Sequence, residues 1–335
     1  MKYLFFYIGI FLIMACITRE GQSDQTAAPI DTLIDISIND DIQKVLIQSD
    51  NIHNPILLYI HGGPGASAMM LSHYYSDSLC KYFTFVNWDQ RGTGLSFGEQ
   101  TDPTKITEKQ IENDAIEIIK YLLQKFKQPK LYILGHSFGS IIGLRLASKY
   151  PDYFYAYIGV GQVIDWDKSV ELTYHWLSKE MIKAKDYQAL KELELNHFPS
   201  IEMIKKYRGH TYNPVNFDSI MRLSPYYFEG YIQQYLAAKS FTEYNIRKNP
   251  CPDCDSSSLY YLRNIEIPVY FLEGRHDHVM ACAPELVVEF YEKLNAPKKK
   301  LIWFDNSAHL PNIEEPEKFQ QVLIQILRNN FKTGA

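Results

Sequence analysis

The sequence has little excess charge of either sign, and this absence excludes one class of partner. Its 335 residues include 34 lysines and arginines against 39 aspartates and glutamates, which gives a net charge of -5. The longest basic run, Lys298 to Lys300, is short and indicates a solvated turn. Because nucleic-acid binding needs a broad cationic face, we expect no nucleic acid among the partners.

An apolar run long enough to span a bilayer is also missing. The longest candidate, residues 3–15, falls short of the roughly 20 residues that a spanning helix needs. Its single preceding charge at Lys2 and the small residues Ala15 and Cys16 at its end are typical of an export signal. We therefore expect a signal segment over residues 1–16, followed by a flexible polar tether over residues 17–32.

The end of this segment predicts how the protein is attached to a membrane. Residues 13–16, Ile-Met-Ala-Cys, resemble the lipobox of bacterial lipoproteins, in which cleavage leaves the cysteine to be lipidated. The prediction is an exported protein attached through a lipid on Cys16 to a membrane of a bacterial cell envelope. A secreted protein, an uncleaved signal anchor and a buried N-terminal helix are the alternatives.

Cysteine is scarce, and its spacing gives little sign of a metal or redox site. The five cysteines are Cys16, Cys80, Cys251, Cys254 and Cys282. A disulfide between Cys251 and Cys254 would suit an exported protein, whereas a redox motif or a zinc site would need a different context. His276 and His278 flank Asp277 as alternative metal ligands, but no HExxH motif or further cluster completes a site. We expect no metal ion and no cofactor.

Short apolar runs recur along the chain and predict a buried parallel sheet. Such runs, apolar on both faces, alternate with helical patterns, which indicates a mostly parallel, doubly wound α/β sheet. Thr107 and Gln110 form a capping box before one of these helices, and residues 33–49 predict an edge hairpin that turns at residues 39–41. The runs lie at residues 56–60, 82–88, 131–134, 155–160, 269–272 and 301–304.

The alternation stops between about Asp165 and Ser258. Residues 165–258 form helical stretches rich in tyrosine, tryptophan, glutamate and lysine, without a buried strand run. Because the core pattern resumes afterwards, we expect a helical lid inserted between two strands; an independent second domain is the alternative. The core then consists of residues 33–164 and residues 259–335.

A serine lies at a sharp turn between a predicted strand and a predicted helix. Gly135, His136, Ser137, Phe138 and Gly139 form the GxSxG pattern of a nucleophile elbow. Glycine is required on both sides because a side chain there would collide with the neighbouring strand or helix. Ser137 is therefore the predicted nucleophile.

A serine hydroxyl needs a base that takes its proton and an acid that orients the base. In this type of fold both follow later strands, in the order serine, acid, histidine. Asp277 follows the run at 269–272, and His309 follows the run at 301–304. We predict Asp277 as the acid and His309 as the base, with Asp165 and Asp305 as rival acids.

The glycine-rich turn after the first buried strand predicts an oxyanion hole. Residues 61–65 read His-Gly-Gly-Pro-Gly, and such a turn can direct bare backbone N–H groups at a carbonyl oxygen. We assign the hole to the amides of Gly63 and Phe138. A phosphate-binding loop is the alternative, but the Lys-Ser/Thr pair of such loops does not follow.

Together, HGGPG at residues 61–65, DQRGTGLS at residues 89–96 and GHSFG at residues 135–139 resemble the proline iminopeptidase group of α/β hydrolases. The resemblance implies the α/β-hydrolase fold with a helical lid and neither metal nor organic cofactor. It also implies that Asp89 and Arg91, with His61 and Gly62, are structural supports, and that Arg91 braces the oxyanion loop. The chain departs from the group at His136 and Phe138, beside the nucleophile.

Members of that group hold the substrate's amino group with lid glutamates. The lid offers several glutamates, but none of them aligns with the motifs of the group; the candidates are Glu171, Glu180, Glu229 and Glu243. The predicted function is an exported aminopeptidase that removes an N-terminal residue, proline first, from short peptides through an acyl-enzyme.

Two other functions remain open. A carboxylesterase or lipase-like hydrolase of small acyl esters would use an apolar lid pocket, and the lid is rich in aromatic residues. A non-catalytic ligand-binding protein could keep the same fold. The lid aromatics include Tyr174, Trp176, Tyr226, Tyr227, Phe228, Tyr231 and Tyr235.

Overall fold

The computed structural model of the protein describes residues 29–250 and 258–331. Cys16, the predicted signal segment, residues 17–28 of the predicted tether and the pair Cys251 and Cys254 lie outside these residues, and what was expected of them stays a prediction. Among the described residues, no helix is both long and apolar enough to cross a membrane.

An eight-stranded sheet organises the core. All six apolar runs form strands. The neighbours β4-β3-β5-β6-β7-β8 are parallel to one another, whereas β2 pairs antiparallel with both β1 and β4. The spatial order is β1-β2-β4-β3-β5-β6-β7-β8. The strands are β1 (Ile30–Ile38), β2 (Asp41–Ser49), β3 (Ile56–Ile60), β4 (Thr84–Trp88), β5 (Leu131–His136), β6 (Phe154–Val160), β7 (Val269–Gly274) and β8 (Lys299–Phe304).

Helices cover both faces of the sheet, and each face has its own hydrophobic cluster. One cluster packs α2, α3 and α9 against the sheet, and the other packs α1 and α11 against the opposite face. The α-helices outside the predicted lid are α1 (Ser72–Ser76), α2 (Glu108–Phe126), α3 (Phe138–Lys149), α9 (Pro284–Lys293), α10 (Pro311–Glu314) and α11 (Pro316–Phe331).

The N-terminal hairpin adds the antiparallel edge. Strand β1 begins at Ile30, so it includes three residues that the sequence analysis placed in the tether. Its turn uses Asn39 and Asp40, whose φ angles of 46° and 63° lie in the left-handed region that these two residue types tolerate. The hairpin turn therefore lies where the sequence predicts it.

The capping box before α2 forms only in part. Thr107 caps the helix, because its hydroxyl accepts a hydrogen bond from the Gln110 N–H at 3.0 Å. The reciprocal half is replaced: Gln110 donates its side-chain amide to Asp114 at 2.8 Å, and the Thr107 N–H donates to the Lys105 carbonyl. The buried Asp114 carboxylate competes successfully for the Gln110 side chain.

The described residues between β6 and β7 form five α-helices. The two ends of this insertion meet, since Asp165 and Ser258 form an antiparallel bridge and the Leu259 N–H donates to the Ile164 carbonyl. An insertion that leaves and rejoins the core at one point has the connectivity expected of a lid. The helices are α4 (Trp166–Lys183), α5 (Tyr187–Asn196), α6 (Ile201–Lys206), α7 (Phe217–Met221) and α8 (Tyr231–Lys248).

Arg91 supports a different part of the fold from the one that the resemblance implied. Its guanidinium pairs with the buried Asp114 at 2.8 Å and with Asp41 at 3.3 Å, and it donates to the carbonyls of Ile38 and Asn39. The expectation that Arg91 braces the oxyanion loop is therefore wrong. Arg91 instead ties the hairpin turn to α2, because two buried carboxylates there need a cation.

Replacing Arg91 by alanine would leave Asp41 and Asp114 buried without their cation. We expect Arg91→Ala to lower the free energy of unfolding by about 3–5 kcal/mol, measured by urea denaturation. Lys105→Ala is the matched control, because Lys105 and Asp40 form an exposed pair at 3.8 Å that contributes at most about 1 kcal/mol. Equal, small losses in the two variants would contradict this role of Arg91.

Candidate active site

Ser137 lies at the turn between β5 and α3 in a strained backbone conformation. Its φ and ψ are 52° and -122°, which side chains rarely adopt. A Cβ at Gly135 would collide with the Gly139 carbonyl, and a Cβ at Gly139 would collide with the Ile60 carbonyl. The Ser137 N–H donates to the Val160 carbonyl at 2.9 Å. The two glycines thus allow the turn to pack directly on β3.

Asp277 and His309 form a buried hydrogen-bonded pair. Asp277 follows β7 and is fully buried, and its Oδ2 lies 2.8 Å from His309 Nδ1. Its other oxygen accepts the Val279 N–H at 3.0 Å. Both carboxylate oxygens therefore have partners, and the hydrogen bond to Nδ1 holds the His309 imidazole in one orientation.

The rival acids have other roles. Asp165 caps α4, since its side chain accepts the Lys168 N–H at 3.0 Å. Asp305 is exposed and pairs with Arg275 at 3.1 Å. Neither contacts the His309 ring in the described part of the chain, so the structure brings Asp277 to the histidine instead.

The alternative metal ligands His276 and His278 each stack on an aromatic side chain. The His276 ring stacks on Tyr212 with ring centroids 3.9 Å apart, and the His278 ring stacks on Trp176 at 4.0 Å. These two imidazoles therefore act as aromatic platforms for the lid.

Cys282 lies inside the candidate site, which the sequence did not indicate. Its Sγ is 3.9 Å from Ser137 Oγ and within 4.8 Å of the ligand atoms of Asp277 and His309. Burial raises the pKa of this thiol well above its ordinary value, so it stays protonated and donates to the Gly161 carbonyl at 3.0 Å. In the residues described, the Ser137 hydroxyl has no hydrogen bond to His309, and its contact is with Cys282.

The glycine-rich loop at residues 61–65 lies against Ser137. A Cβ on Gly62 would lie 2.8 Å from Ser137 Cβ, and Gly63 has a φ of 116°. In the described turns and loops, neither the Gly63 nor the Phe138 N–H donates to a backbone carbonyl. Their assignment to an oxyanion hole stays a prediction.

His61 and Gln90 brace this loop. His61 Nδ1–H donates to the Gly62 carbonyl at 2.9 Å, and its Nε2 accepts the Gln90 N–H at 3.3 Å. The Gln90 side chain donates to the His61 carbonyl at 2.9 Å. Burial lowers the pKa of His61 to about 4, so the ring stays neutral and keeps this hydrogen-bond pattern. Sequence reasoning assigned His61 but missed Gln90, although it stands inside the quoted DQRG motif.

Most of the chain matches the profile of one protein family. A family profile described as alpha/beta hydrolase fold matches residues 55–316. The chain belongs to the α/β-hydrolase family. The family match confirms the predicted fold class. In this α/β hydrolase, the inserted helices lie between β6 and β7.

Several known proteins resemble this α/β hydrolase over most of its length. The probable aminopeptidase YbaC of Bacillus subtilis is 28% identical over 319 residues, covering 89% of this chain and 96% of the relative. The proline iminopeptidase of Saccharolobus solfataricus is 24% identical over 302 residues, covering 82% and 85%. These relatives confirm the resemblance to the proline iminopeptidase group.

A solved structure gives the same fold. The crystal structure of proline iminopeptidase from Mycobacterium smegmatis superposes with a TM-score of 0.67 and 16% identity, covering 91% of this chain and all of that one. At this low identity the superposition shows the shared fold alone.

Asp89 connects the loop that follows β3 with the loop at residues 89–96. One carboxylate oxygen accepts a very short hydrogen bond from the Ser67 hydroxyl, and the other accepts the Leu95 N–H at 2.7 Å. The group is fully buried, and burial raises the pKa of Asp89 to about 7. The hydrogen bonds of Asp89 support the two loops, and its pKa is far above the ordinary value of an aspartate.

Two further imidazole rings lie near that of His309. His136 Nε2–H donates to the His309 carbonyl at 2.9 Å, with ring centroids 4.8 Å apart, and the His210 ring of the lid lies at 6.0 Å. Burial first, and the neighbouring His309 second, lower the pKa values of His136 and His210 to about 3. Both rings stay neutral and avoid repelling an imidazolium at His309.

Of the four candidate glutamates in the predicted lid, Glu243 lies on α8, the helix that contacts the loops at residues 61–65 and 89–96. Helix α8 approaches Gly65 closely at Lys239, and Thr242 donates to the Gly92 carbonyl at 2.7 Å. Glu243 forms an ion pair with Lys239 at 2.5 Å. Glu171 and Glu229 are exposed, and Glu180 lies near Lys183 on the surface of α4.

The raised pKa of Asp89 predicts a pH-dependent stability. The folded protein holds this proton up to about pH 7, whereas the unfolded chain releases it near its ordinary value of 3.8. This contribution therefore stabilises the fold at low pH and is lost as the pH rises. We expect Asp89→Asn, which can still accept from Leu95 and donate to Ser67, to gain stability relative to wild type by up to about 1.4 kcal/mol per pH unit between roughly pH 5 and 7.

Denaturation at a series of pH values measures this difference. Asp102→Asn is the matched control, because the exposed Asp102 has its pKa lowered by the Thr104 hydroxyl and is ionised in both states above about pH 5. Its difference from wild type should be constant across the same range. A constant difference for Asp89→Asn as well would contradict the assignment.

Proposed function

We propose that this α/β hydrolase is a serine hydrolase that cleaves its substrate through an acyl-enzyme, and that it acts as an aminopeptidase. The observation that carries the proposal is the buried pair of Asp277 and His309, which lies in one cluster with the elbow residue Ser137. A nucleophile, a base and an orienting acid in this arrangement are what acyl transfer requires.

The first half of the reaction forms the acyl-enzyme. The Ser137 hydroxyl rotates from Cys282 toward His309, gives its proton to the imidazole and bonds to the carbonyl carbon of the substrate. The amides of Gly63 and Phe138 bind the resulting oxyanion. His309 then gives its proton to the leaving amine or alcohol, and the bond to that group breaks.

The second half uses water in place of serine. His309 takes a proton from water, which bonds to the acyl carbon, and the proton passes to Ser137 as the serine ester breaks. The buried Asp277 stabilises the imidazolium in both halves. The products are a carboxylic acid and the free enzyme.

Two observations support an amino-terminal substrate. The relatives that match this chain over most of their length are named as an aminopeptidase and as proline iminopeptidases. In the lid, the Lys239 ammonium already occupies the Glu243 carboxylate at 2.5 Å. We propose that the amino group of the substrate replaces this ammonium at Glu243.

An ester substrate is the second candidate. Lid residues Tyr226, Tyr227 and Tyr235 pack with Met70 and Met221 around the buried Tyr231, so the lid next to α8 offers apolar surface. A carboxylesterase would use that surface for an acyl chain and would need no partner for an amine.

Ser137→Ala tests the chemistry. We expect it to lower kcat/KM by roughly 10⁴-fold or more, because His309 then has no nucleophile to activate, with an unchanged melting temperature. The measurement compares proline arylamide and a short acyl ester, with Ser178→Ala of the lid as the control. Wild-type turnover of both substrates by Ser137→Ala would exclude the serine mechanism, and no turnover by any form would favour the ligand-binding alternative.

Glu243→Gln separates the two substrate classes. We expect KM for a proline arylamide to rise roughly 10-fold or more, because a charge-assisted hydrogen bond contributes about 1.5–3 kcal/mol, while ester hydrolysis stays within twofold of wild type. Glu229→Gln, an exposed lid carboxylate, is the control. A greater activity on the ester, with no effect of Glu243→Gln on the arylamide, would support the esterase.

A further inference from the structure

Glu314 lies at the end of α10, five residues after His309, and connects two parts of the molecule. Its Oε2 accepts the Ala308 N–H at 2.8 Å, in the loop that carries the catalytic histidine. Its Oε1 accepts the N–H groups of Tyr212 at 2.6 Å and of Asn213 at 3.1 Å, which belong to the lid. One carboxylate thus holds the lid with one oxygen and the histidine loop with the other.

The same lid segment, residues 209–213, bonds directly to both catalytic loops. The His309 N–H donates to the His210 carbonyl at 3.1 Å, and the His278 N–H donates to the Gly209 carbonyl at 2.9 Å. His278 directly follows the predicted acid Asp277 in the chain. Two carbonyls of adjacent lid residues therefore hold the backbone of the acid loop and that of the histidine loop.

Stacked rings reinforce this contact on the acid side. Tyr212 of the lid stacks on His276, and Trp176 of α4 stacks on His278, with interplanar angles of 10° and 11°. His276 and His278 directly precede and follow Asp277 in the chain. A displacement of residues 209–213 would thus move the loop of the acid as well as the loop of the base.

We propose that Glu314 is a positioning residue that fixes lid residues 209–213 against the two catalytic loops, so that docking of the lid sets the geometry of Asp277 and His309. The proposal rests on the serine mechanism proposed above. It assigns the predicted lid a structural role: the lid holds the acid and the base at hydrogen-bond distance.

Glutamine at position 314 is the informative substitution. Its side chain has nearly the same shape, but its amide nitrogen cannot accept a hydrogen bond, so either the lid amides or the Ala308 amide loses its acceptor. Since a displacement of about 1 Å in a catalytic group can lower the rate roughly 100-fold, we expect Glu314→Gln to lower kcat about 10-fold to 100-fold. KM should change less than threefold, because no substrate contact is removed.

The experiment measures kcat and KM on a short acyl ester and the rate at which a fluorophosphonate labels Ser137 in the full chain. Glu315→Gln is the matched control: its carboxylate holds Asn306 and Ser307 of the same loop but makes no hydrogen bond to the described lid residues. We expect its labelling rate to stay within twofold of wild type and that of Glu314→Gln to fall with kcat.

Each result decides between distinct conclusions. If the wild type is labelled and Glu314→Gln is labelled at the same rate, the positioning role is overturned and the serine mechanism is not. An equal fall in Glu314→Gln and Glu315→Gln shows that the histidine loop matters without the lid, which overturns the coupling. A wild type that is never labelled overturns the serine mechanism and this proposal with it.

Tyr212→Ala keeps the proposal testable if Glu314→Gln fails to fold. It removes the ring stacked on His276 and leaves the backbone amide in place, so we expect a smaller fall of kcat in the same direction, again with little change in KM. An unchanged kcat and labelling rate in this variant would contradict the coupling.

Discussion

The buried hydrogen bond between Asp277 and His309 is the interaction on which the rest of the site depends. A carboxylate without solvent is costly unless both of its oxygens have partners, and the imidazole and the Val279 N–H supply them. Asp277 and His309 follow β7 and β8, while Ser137 follows β5. Parallel strands end at the same edge of a sheet, so three distant segments meet there.

Much of the fold and the main site residues could be predicted because they follow from local rules. Apolar runs gave the strands, and the positions directly after those strands gave Ser137, Asp277 and His309. Cys282, Gln90 and Glu314 were missed, because their contacts depend on how loops far apart in sequence pass one another. The resemblance misplaced Arg91, since the buried Asp114 that binds it carries no signal in the motif.

The inserted helices contact the same core loops that carry the proposed catalytic residues. Helix α8 packs on Gly65 and bonds to the carbonyls of Gly92 and Gly94, so it supports the oxyanion side. The segment at residues 209–213 supports the acid and the base. On the proposed mechanism, a change in lid sequence would affect substrate selection and catalytic geometry together, which would limit how freely the lid can diverge.

The order of the site residues along the chain has a consequence for biosynthesis. Ser137 precedes the five lid helices, whereas Asp277 and His309 come after them. Because nascent polypeptides leave the ribosome from the N-terminus, the proposed nucleophile is translated long before its base. A hydroxyl without a base reacts poorly. On the proposed mechanism, Ser137 is therefore unreactive during translation and becomes a nucleophile only when β7 and β8 have joined the sheet.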